Sequence, residues 1–500
     1  MLGFFFALDK GLAIVRQIVI ARLFGLSAEL DAFNVANNIP DLIFALITGG
    51  ALAVAFIPVL AEVLTLNGRQ EAWRLFSRIA NLAFLVTGAM SLLVAVSAGW
   101  LVGWELGIAP GFDQADQLLV TELMRLNLIA TMLFSISGLV MAGLQANQHF
   151  FLPALAPVLY NAGQIFGAAI LSPQEGIRIG ALTLPAYGMG VHGLVYGVII
   201  GAALHLLIQV PALIQYEFKW MFGVGLREPS VVKVLRLMGP RLATMAIIQM
   251  IFLIRDNLAS RLQVGTVTAL AYGWMIQQVP ETLIGTAIGT ALLPTLAEHF
   301  SRKNHQLFTQ TVSKAIQVLL AVTLPVAGIM SVSLRPLLTF AFGFDAAGTD
   351  LLLWVTRGYL LGLTGHCMLE LAARAFYARQ NALVPLAGAV INVSIYIGMG
   401  SILFRVLGGP GISLTDAIAF TTQAVFLVIV LYRSGTRPLN LNPTWLRSIL
   451  AALVCTGVAW LILSLTPGVP EIWASLLAML GGALVMVFLI FPEIRLLLRL

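Results

Sequence analysis

The chain has 500 residues, of which 59% are hydrophobic and only 10% charged, against about 25% charged in ordinary soluble domains. That balance excludes a soluble globular enzyme and places the protein in a bilayer. The net charge of +6 follows from where basic residues sit relative to the membrane, so it gives no reason to invoke nucleic acid.

A membrane-spanning helix needs about 20 mostly apolar residues, and stretches of that length recur between short polar loops. Barrel strands would be half as long and would alternate. In chain order the spacing predicts fourteen helices, at 3–25, 34–64, 77–103, 118–143, 151–171, 189–215, 231–261, 267–298, 308–333, 350–376, 383–405, 411–433, 446–466 and 471–491. The expected fold is therefore an all-α polytopic membrane protein. Lys10 and Arg16 lie within the first apolar segment, which lacks a small-residue cleavage pattern. It reads as the first span, short by a few residues on its N-terminal side, rather than as a cleavable signal peptide. An even number of spans puts both termini on one side. The loops after even-numbered helices and the C-terminal tail hold seventeen Lys and Arg, against five (Arg22, Arg178, Arg261, Arg335 and Arg405) on the other side. Both termini are expected to be cytoplasmic.

The second helix begins a motif that returns about 240 residues later. Pro40-Asp41 leads through a small-residue helix to Pro58-Val-Leu-Ala-Glu62, and Pro280-Glu281 leads to Pro294-Thr-Leu-Ala-Glu298. Arg16 precedes Asp41 by 25 residues and Arg255 precedes Glu281 by 26. A second echo links Gln145-Ala-Asn147 through Pro153 and Asn161 with Arg379-Gln-Asn381 through Pro385 and Asn392. Six helices per repeat is an even number, so the halves share orientation, a parallel repeat about an axis along the membrane normal. The expected organisation is an N-lobe at 1–215, a cytoplasmic connector at 216–229, a C-lobe at 230–433, and two unrepeated helices with the tail at 434–500.

Charges inside spans are expensive, about 2.5 to 3.5 kcal/mol each on insertion scales, so they face a partner or a cavity. Glu62, Glu298 and Glu370 lie near cytoplasmic helix ends, where solvation or interhelical pairing is expected. Asp41 and Glu281 sit beside prolines and read as structural. Arg16 and Arg255 lie mid-span in the first helix of each lobe, where both can point into the cleft if the lobes face one another. A guanidinium keeps its charge and matches phosphate oxygens, so the implied ligand is anionic. The competing reading is a buried ion pair; Asp256 reads as an unsuitable partner for Arg255 because adjacent helical residues diverge. Asp31 lies about 22 Å of rise from Arg16, reachable only across the helix end.

No enzyme constellation emerges. The six histidines read as scattered, with no HExxH and no carboxylate partner at helical spacing, and there is no GxxxxGK[ST] loop for ATP. No cofactor is expected; the drive would be a Na+ or H+ gradient, the membrane potential or substrate supply. Cys367 and Cys455 fall inside spans and read as small apolar residues.

Ile20-Ala-Arg-Leu-Phe-Gly25, Asp31-Ala-Phe33, Ala51 through Glu62, Met238-Gly-Pro240 and Gly285 through Leu296 together resemble the MurJ (MviN) lipid II flippases of the multidrug/oligosaccharidyl-lipid/polysaccharide exporter superfamily. The resemblance covers essentially the whole chain and accounts for helices 13 and 14, which in that family form a lipid-facing groove. It implies that Arg16 matches an essential first-helix arginine of the central cavity, Asp31 an acidic residue between helices 1 and 2, and Lys10 a nearby basic position. It also exposes departures. Phe44 and Ala45 stand where the family has paired arginines, Gly49 where it has a glutamate, and Trp274-Met275 where it has Asp-Arg. Arg255 would restore part of that lost positive charge. The implied function is a flippase for a polyprenyl-pyrophosphate glycan, lipid II first, by alternating access. The alternatives are another lipid-linked oligosaccharide, a drug or metabolite antiporter, and a non-transporting scaffold. The expected partners are the lipid-linked substrate, membrane lipids and the cell-wall synthesis machinery, with the chain working as a monomer in the bacterial inner membrane.

Overall fold

The computed structural model describes residues 2–47, 51–176, 178–179, 182–433 and 442–497. By internal contacts the chain divides into two compact units, Met1–Gly265 and Thr266–Leu500. The first runs α1 (Leu2–Phe24), α2 (Ala28–Ile47), α3 (Ala51–Asn67), α4 (Arg69–Gly103), α5 (Gln114–Ala146), α6 (Phe151–Phe166), a π-helical turn (Gly167–Leu171), a two-stranded ribbon of β1 (Arg178–Ile179) and β2 (Leu182–Thr183), α7 (Val191–Leu207), α8 (Val210–Gln215) and α9 (Pro229–Ala259). The second runs α10 (Thr266–Glu281), a π-helical turn (Thr282–Thr286), α11 (Ala287–Ser301), α12 (His305–Phe342), α13 (Ala346–Leu361), α14 (Leu363–Ala378), α15 (Leu383–Leu407), α16 (Gly409–Arg433), α17 (Asn442–Leu465), α18 (Glu471–Leu489) and α19 (Phe491–Leu497).

The protein is an all-helical, multi-pass membrane protein, and ten helices among the described residues are long and apolar enough to cross a bilayer. That is fewer than the fourteen expected. The 23 residues of α1 carry Asp9, Lys10, Arg16 and Arg22. Of the helix expected at 34–64, α2 and α3 are helical on either side of residues 48–50, which include Gly49-Gly50 and lie outside the described residues. The helix expected at 350–376 breaks at Gly362 into two sixteen-residue pieces. The ribbon, Arg178 paired with Thr183, has no counterpart in the predicted elements.

In the first unit, α5 packs against α2, α3, α4 and α7. Asp113 starts α5 by accepting from the Asp116 N–H at 2.8 Å, the capping that leaves a helix end with fewer bare donors. In bilayers, helix association draws on close packing rather than on hydrophobic exclusion. The α6–α7 contact shows this. Gly163 and Gly167 face Gly201 and Gly197, and a methyl on Gly197 would meet the Gly167 Cα at 2.8 Å. By sequence repeat α9 heads the second lobe, but by contact it sits with the first unit. It packs on α2, α3 and α4, and the Lys233–Glu62 ion pair (2.6 Å) and the Arg78–Glu228 pair fasten its N-terminal end.

In the second unit α14 packs against α16, α11, α12 and α10. Asn304 and Asp345 cap α12 and α13 by accepting from Leu307 N–H and Gly348 N–H, and Gly343 ends α12 in the left-handed region that favours glycine. α17 and α18 dock on α12. Ile329 meets Cys455, Ala459 and Ala478 there, and the buried Glu493 carboxylate accepts from Arg447 at 3.0 Å. Their outer surfaces expose Leu453, Trp460, Leu480, Leu484 and Phe488, apolar side chains suited to lipid.

Candidate functional site

Arg16 is half-buried on α1, which packs against α6. Its Nη1 donates to Asn161 Oδ1 at 3.0 Å, and the Asn161 amide donates to Asp9 Oδ1 at 2.8 Å. Asp9 and Arg16 lie two turns apart on one helix, so Asn161, itself buried, acts as a clip between them. The Arg16 Nε is buried without a hydrogen-bond partner. The Asp41 carboxyl on α2 and the Tyr160 hydroxyl on α6 lie within Coulombic reach of the guanidinium. Lys10 is exposed, its ammonium 3.9 Å from Asp9. The patch thus holds two cations and two carboxyls beside a planar donor able to take an anion.

Arg255 is placed differently. It is buried, with Nε donating to Asp256 Oδ1 at 2.7 Å. Asp256 is fully buried and also accepts from the Asn38 amide of α2. The expectation that Asp256 cannot serve Arg255 is therefore corrected. Adjacent Cα–Cβ vectors diverge, but the long arginine stem folds back far enough to close the pair. The guanidinium also covers the Phe252 ring, 5.2 Å from its centroid, a favourable cation–π placement. Arg16 is thus anchored from α6, whereas Arg255 pairs with its own neighbour on α9.

Asp31 is buried, 1% exposed, and accepts from the Gly265 N–H at 2.6 Å. Gly265 has φ of 87°, and an added methyl would strike Leu26. The contact fastens the start of α2 to the loop after α9. Two of the departure positions are filled by aromatic packing. Phe44 tilts against Phe134 at 5.3 Å, and Trp274 packs edge-on to His366 at 5.3 Å and to Tyr359 at 5.7 Å. Of the carboxylates at helix ends, Glu62 pairs between helices with Lys233 of α9, whereas Glu298 and Glu370 pair locally with Arg302 and Arg374, four residues on.

The reading of the histidines as scattered fails for three of them: His192 Nε2 lies 3.3 Å from Glu122 Oε1, and two others sit in buried polar contacts. His205 is buried in hydrogen-bonding contact with Ser137, which also accepts from the Gln209 amide at 3.0 Å. His366 has Glu370 four residues on, and across the unit its Nε2 lies 3.0 Å from Asp416 Oδ1 and its Nδ1 4.0 Å from Glu281 Oε1. The i,i+4 spacing to Glu370 was visible in the sequence. Asp416, fifty residues away, and Glu281, assigned a purely structural role, gave no local signal.

Residues 20–479 match the family profile described as "Lipid II flippase MurJ". Over 470 residues the chain is 29% identical to the lipid II flippase MurJ of Burkholderia cenocepacia, covering 91% of this chain and 87% of that protein. It is 27% identical to the probable lipid II flippase MurJ of Vibrio cholerae, covering 90% and 86%. The fold is similar to that of a solved lipid II flippase MurJ in an inward closed conformation. The TM-score is 0.81 at 21% identity, with 100% of this chain and 99% of that one covered. An inward-facing MATE-family transporter of the MOP superfamily is similar at a TM-score of 0.69 and 14% identity, covering 85% and 96%.

Proposed function

Because the chain belongs to the lipid II flippase MurJ family, we propose that it translocates lipid II, the polyprenyl-pyrophosphate-linked precursor of peptidoglycan, across the bacterial inner membrane. Transport proceeds by alternating access of repeated six-helix lobes in a fourteen-span topology with both termini cytoplasmic. The observation that carries the reading is the continuity of the match over residues 20–479, which takes in nearly all of both sequence repeats and most of the C-terminal pair, with Lys10 and Arg16 just ahead of it. The two further helices suit a substrate with a long lipid tail, and the apolar surfaces of α17 and α18 are the surface against which that tail would run.

The pyrophosphate is assigned to Arg16, with Lys10 beside it. Arg16 has one nitrogen anchored by Asn161 and a second without a partner. A guanidinium held in this way is oriented before substrate arrives, which lowers the ordering cost of binding. Asp41 and Asp9 limit the local positive charge, so the anion is held without being trapped, as transport requires. Arg255 is charge-balanced by Asp256 and serves the site by holding α9 to α2 through the Asn38 contact of that carboxylate, and Asp31 positions the α1–α2 turn. Transport draws on an ion gradient or the membrane potential rather than on a bound cofactor.

Complementation of a bacterium depleted of its own lipid II flippase tests the assignment. The wild-type chain is expected to restore growth and Arg16→Ala to fail at equal membrane abundance. A wild-type chain that inserts but does not restore growth would count against lipid II as the cargo. Growth with Arg16→Ala equal to the wild type would remove Arg16 from the site.

A further inference from the structure

The second unit contains a charged cluster that anion recognition at Arg16 does not use. His366 on α14 is 2% exposed and lies between two carboxylates, Asp416 on α16 at 3.0 Å and Glu281 at the end of α10 at 4.0 Å. Asp416 is 4% exposed and Glu281 14%. The Phe420 ring stacks on the imidazole with centroids 4.0 Å apart, and Trp274 closes a further edge. Among the described residues, the charged groups facing His366 are Glu281 from α10, Asp416 from α16 and, on its own helix, Glu370, which Arg374 clasps. From α12 the neighbouring group is the Thr323 hydroxyl through Thr364, and from α13 it is Tyr359 through Trp274.

With His366 neutral, two carboxylates with no cation between them share this interior; with His366 protonated, one positive charge sits between them. Buried charge is tolerated only when paired, so the cluster is built to hold a proton. It also has a way in: Glu281 is the most exposed of the three, and Gln277, one turn earlier, donates to Glu281 Oε2 at 3.2 Å. The Gln277 Oε1 is buried with no hydrogen-bond partner, a polar acceptor beside the cluster with capacity to spare.

The same place is where the helix changes form. Pro280 precedes Glu281, and the π-helical turn Thr282–Thr286 follows it directly; such turns concentrate at functional sites. Gly285 in that turn packs against Cys367, the neighbour of His366, so closely that a methyl would lie 2.8 Å from the Cys367 Cα. We propose that Glu281, His366 and Asp416 form a proton-binding site, and that its occupancy sets how the Pro280–Thr286 bend engages α14 and α16 and so links translocation to protons. Loading places a proton on the imidazole, which then donates to Asp416 and attracts Glu281. Unloading returns that proton to water and leaves two like charges to separate, with Glu281 the one free to move toward its exposed side.

The link to translocation rests on the flippase reading; the proton site itself does not. The purified full-length chain in nanodiscs is titrated while tryptophan emission is followed, and the Trp274→Phe trace is subtracted to isolate the indole beside His366. Protonated imidazole quenches a contacting indole, so the difference signal is expected to fall in a single-proton step as pH is lowered, and His366→Gln and Asp416→Asn are expected to flatten or displace it. A flat wild-type difference signal, or one unchanged in both variants, overturns the site. In proteoliposomes with fluorescent lipid II, the wild-type rate is expected to change several-fold when a pH gradient is imposed and His366→Gln to lose that response. A response retained by His366→Gln overturns the link to translocation. If the wild type moves no lipid II under any gradient, the flippase reading falls, and the emission titration still decides the proton site.

Discussion

Arg16 and Arg255 occupy corresponding positions in the sequence repeat, and their surroundings separate them. Arg16 is half-buried with an unpartnered Nε, whereas Arg255 is buried against Asp256. Removing one partner of a buried pair typically costs about 3–5 kcal/mol, because the other charge is stranded. Arg255→Ala is therefore expected to lower the thermal unfolding temperature in detergent markedly, and Arg255→Ala with Asp256→Ala to recover much of the loss. A single variant as stable as the wild type would show that the pair carries no stability. For Asp31 the two obvious substitutions separate. Asp31→Asn keeps an oxygen for the Gly265 N–H and is expected to be mild, whereas Asp31→Ala orphans a buried donor at about 1–3 kcal/mol. Equal melting temperatures for the two would contradict the bond's role. Arg16 stood out in the sequence because a mid-span arginine is rare in any membrane helix. Its anchor was not: Asn161 is 145 residues away, and no local pattern ties the two. The Arg255–Asp256 pair was misread because helical divergence was applied at Cβ, while the contact forms at the end of a flexible stem.

At the scale of elements, glycine spacing and proline placement account for much of the helix packing. Gly193, Gly197 and Gly201 recur every four residues on α7, and Gly163 on α6 and Gly167 at the start of the following π-helical turn keep the same spacing. That spacing places them on one face each and lets the backbones meet. Gly197→Ile is expected to force α6 and α7 apart, reducing folded yield and thermal stability. Gly457→Ile, at a position with nothing within 4 Å of an added methyl, is the matched control and should be near neutral. Equal losses in the two would remove the close-approach explanation. Most predicted helix positions are recovered in the structure because apolar length is a strong signal. The interruptions were less visible: Gly362 and the turn at Thr282–Thr286 leave the hydropathy intact. The grouping of α9 with the first unit also escaped the repeat, because it depends on pairs such as Lys233–Glu62 that form only after folding.

For the whole molecule, family membership and composition agree on a multi-pass transporter, and the exposed apolar faces of α17 and α18 fit a cargo with a lipid tail. Cys455 and Ala459 pack inward on Ile329 while Trp460 and Leu453 face out, so charge on the outer face should disturb tail contact without disturbing the core. Leu453→Lys is expected to lower lipid II transport more than thermal stability; matched losses in both would mean that the face is merely structural. The central claim, that this chain moves lipid II and does so through Arg16, is tested most directly with purified protein in liposomes. Fluorescent lipid II placed in one leaflet is followed with an external, membrane-impermeant quencher under an imposed membrane potential. The account predicts faster leaflet exchange than in empty liposomes, and a rate for Arg16→Ala lower by about tenfold or more, equivalent to about 1.4 kcal/mol. Exchange no faster than in empty liposomes, or equal rates for the wild type and Arg16→Ala, would contradict it.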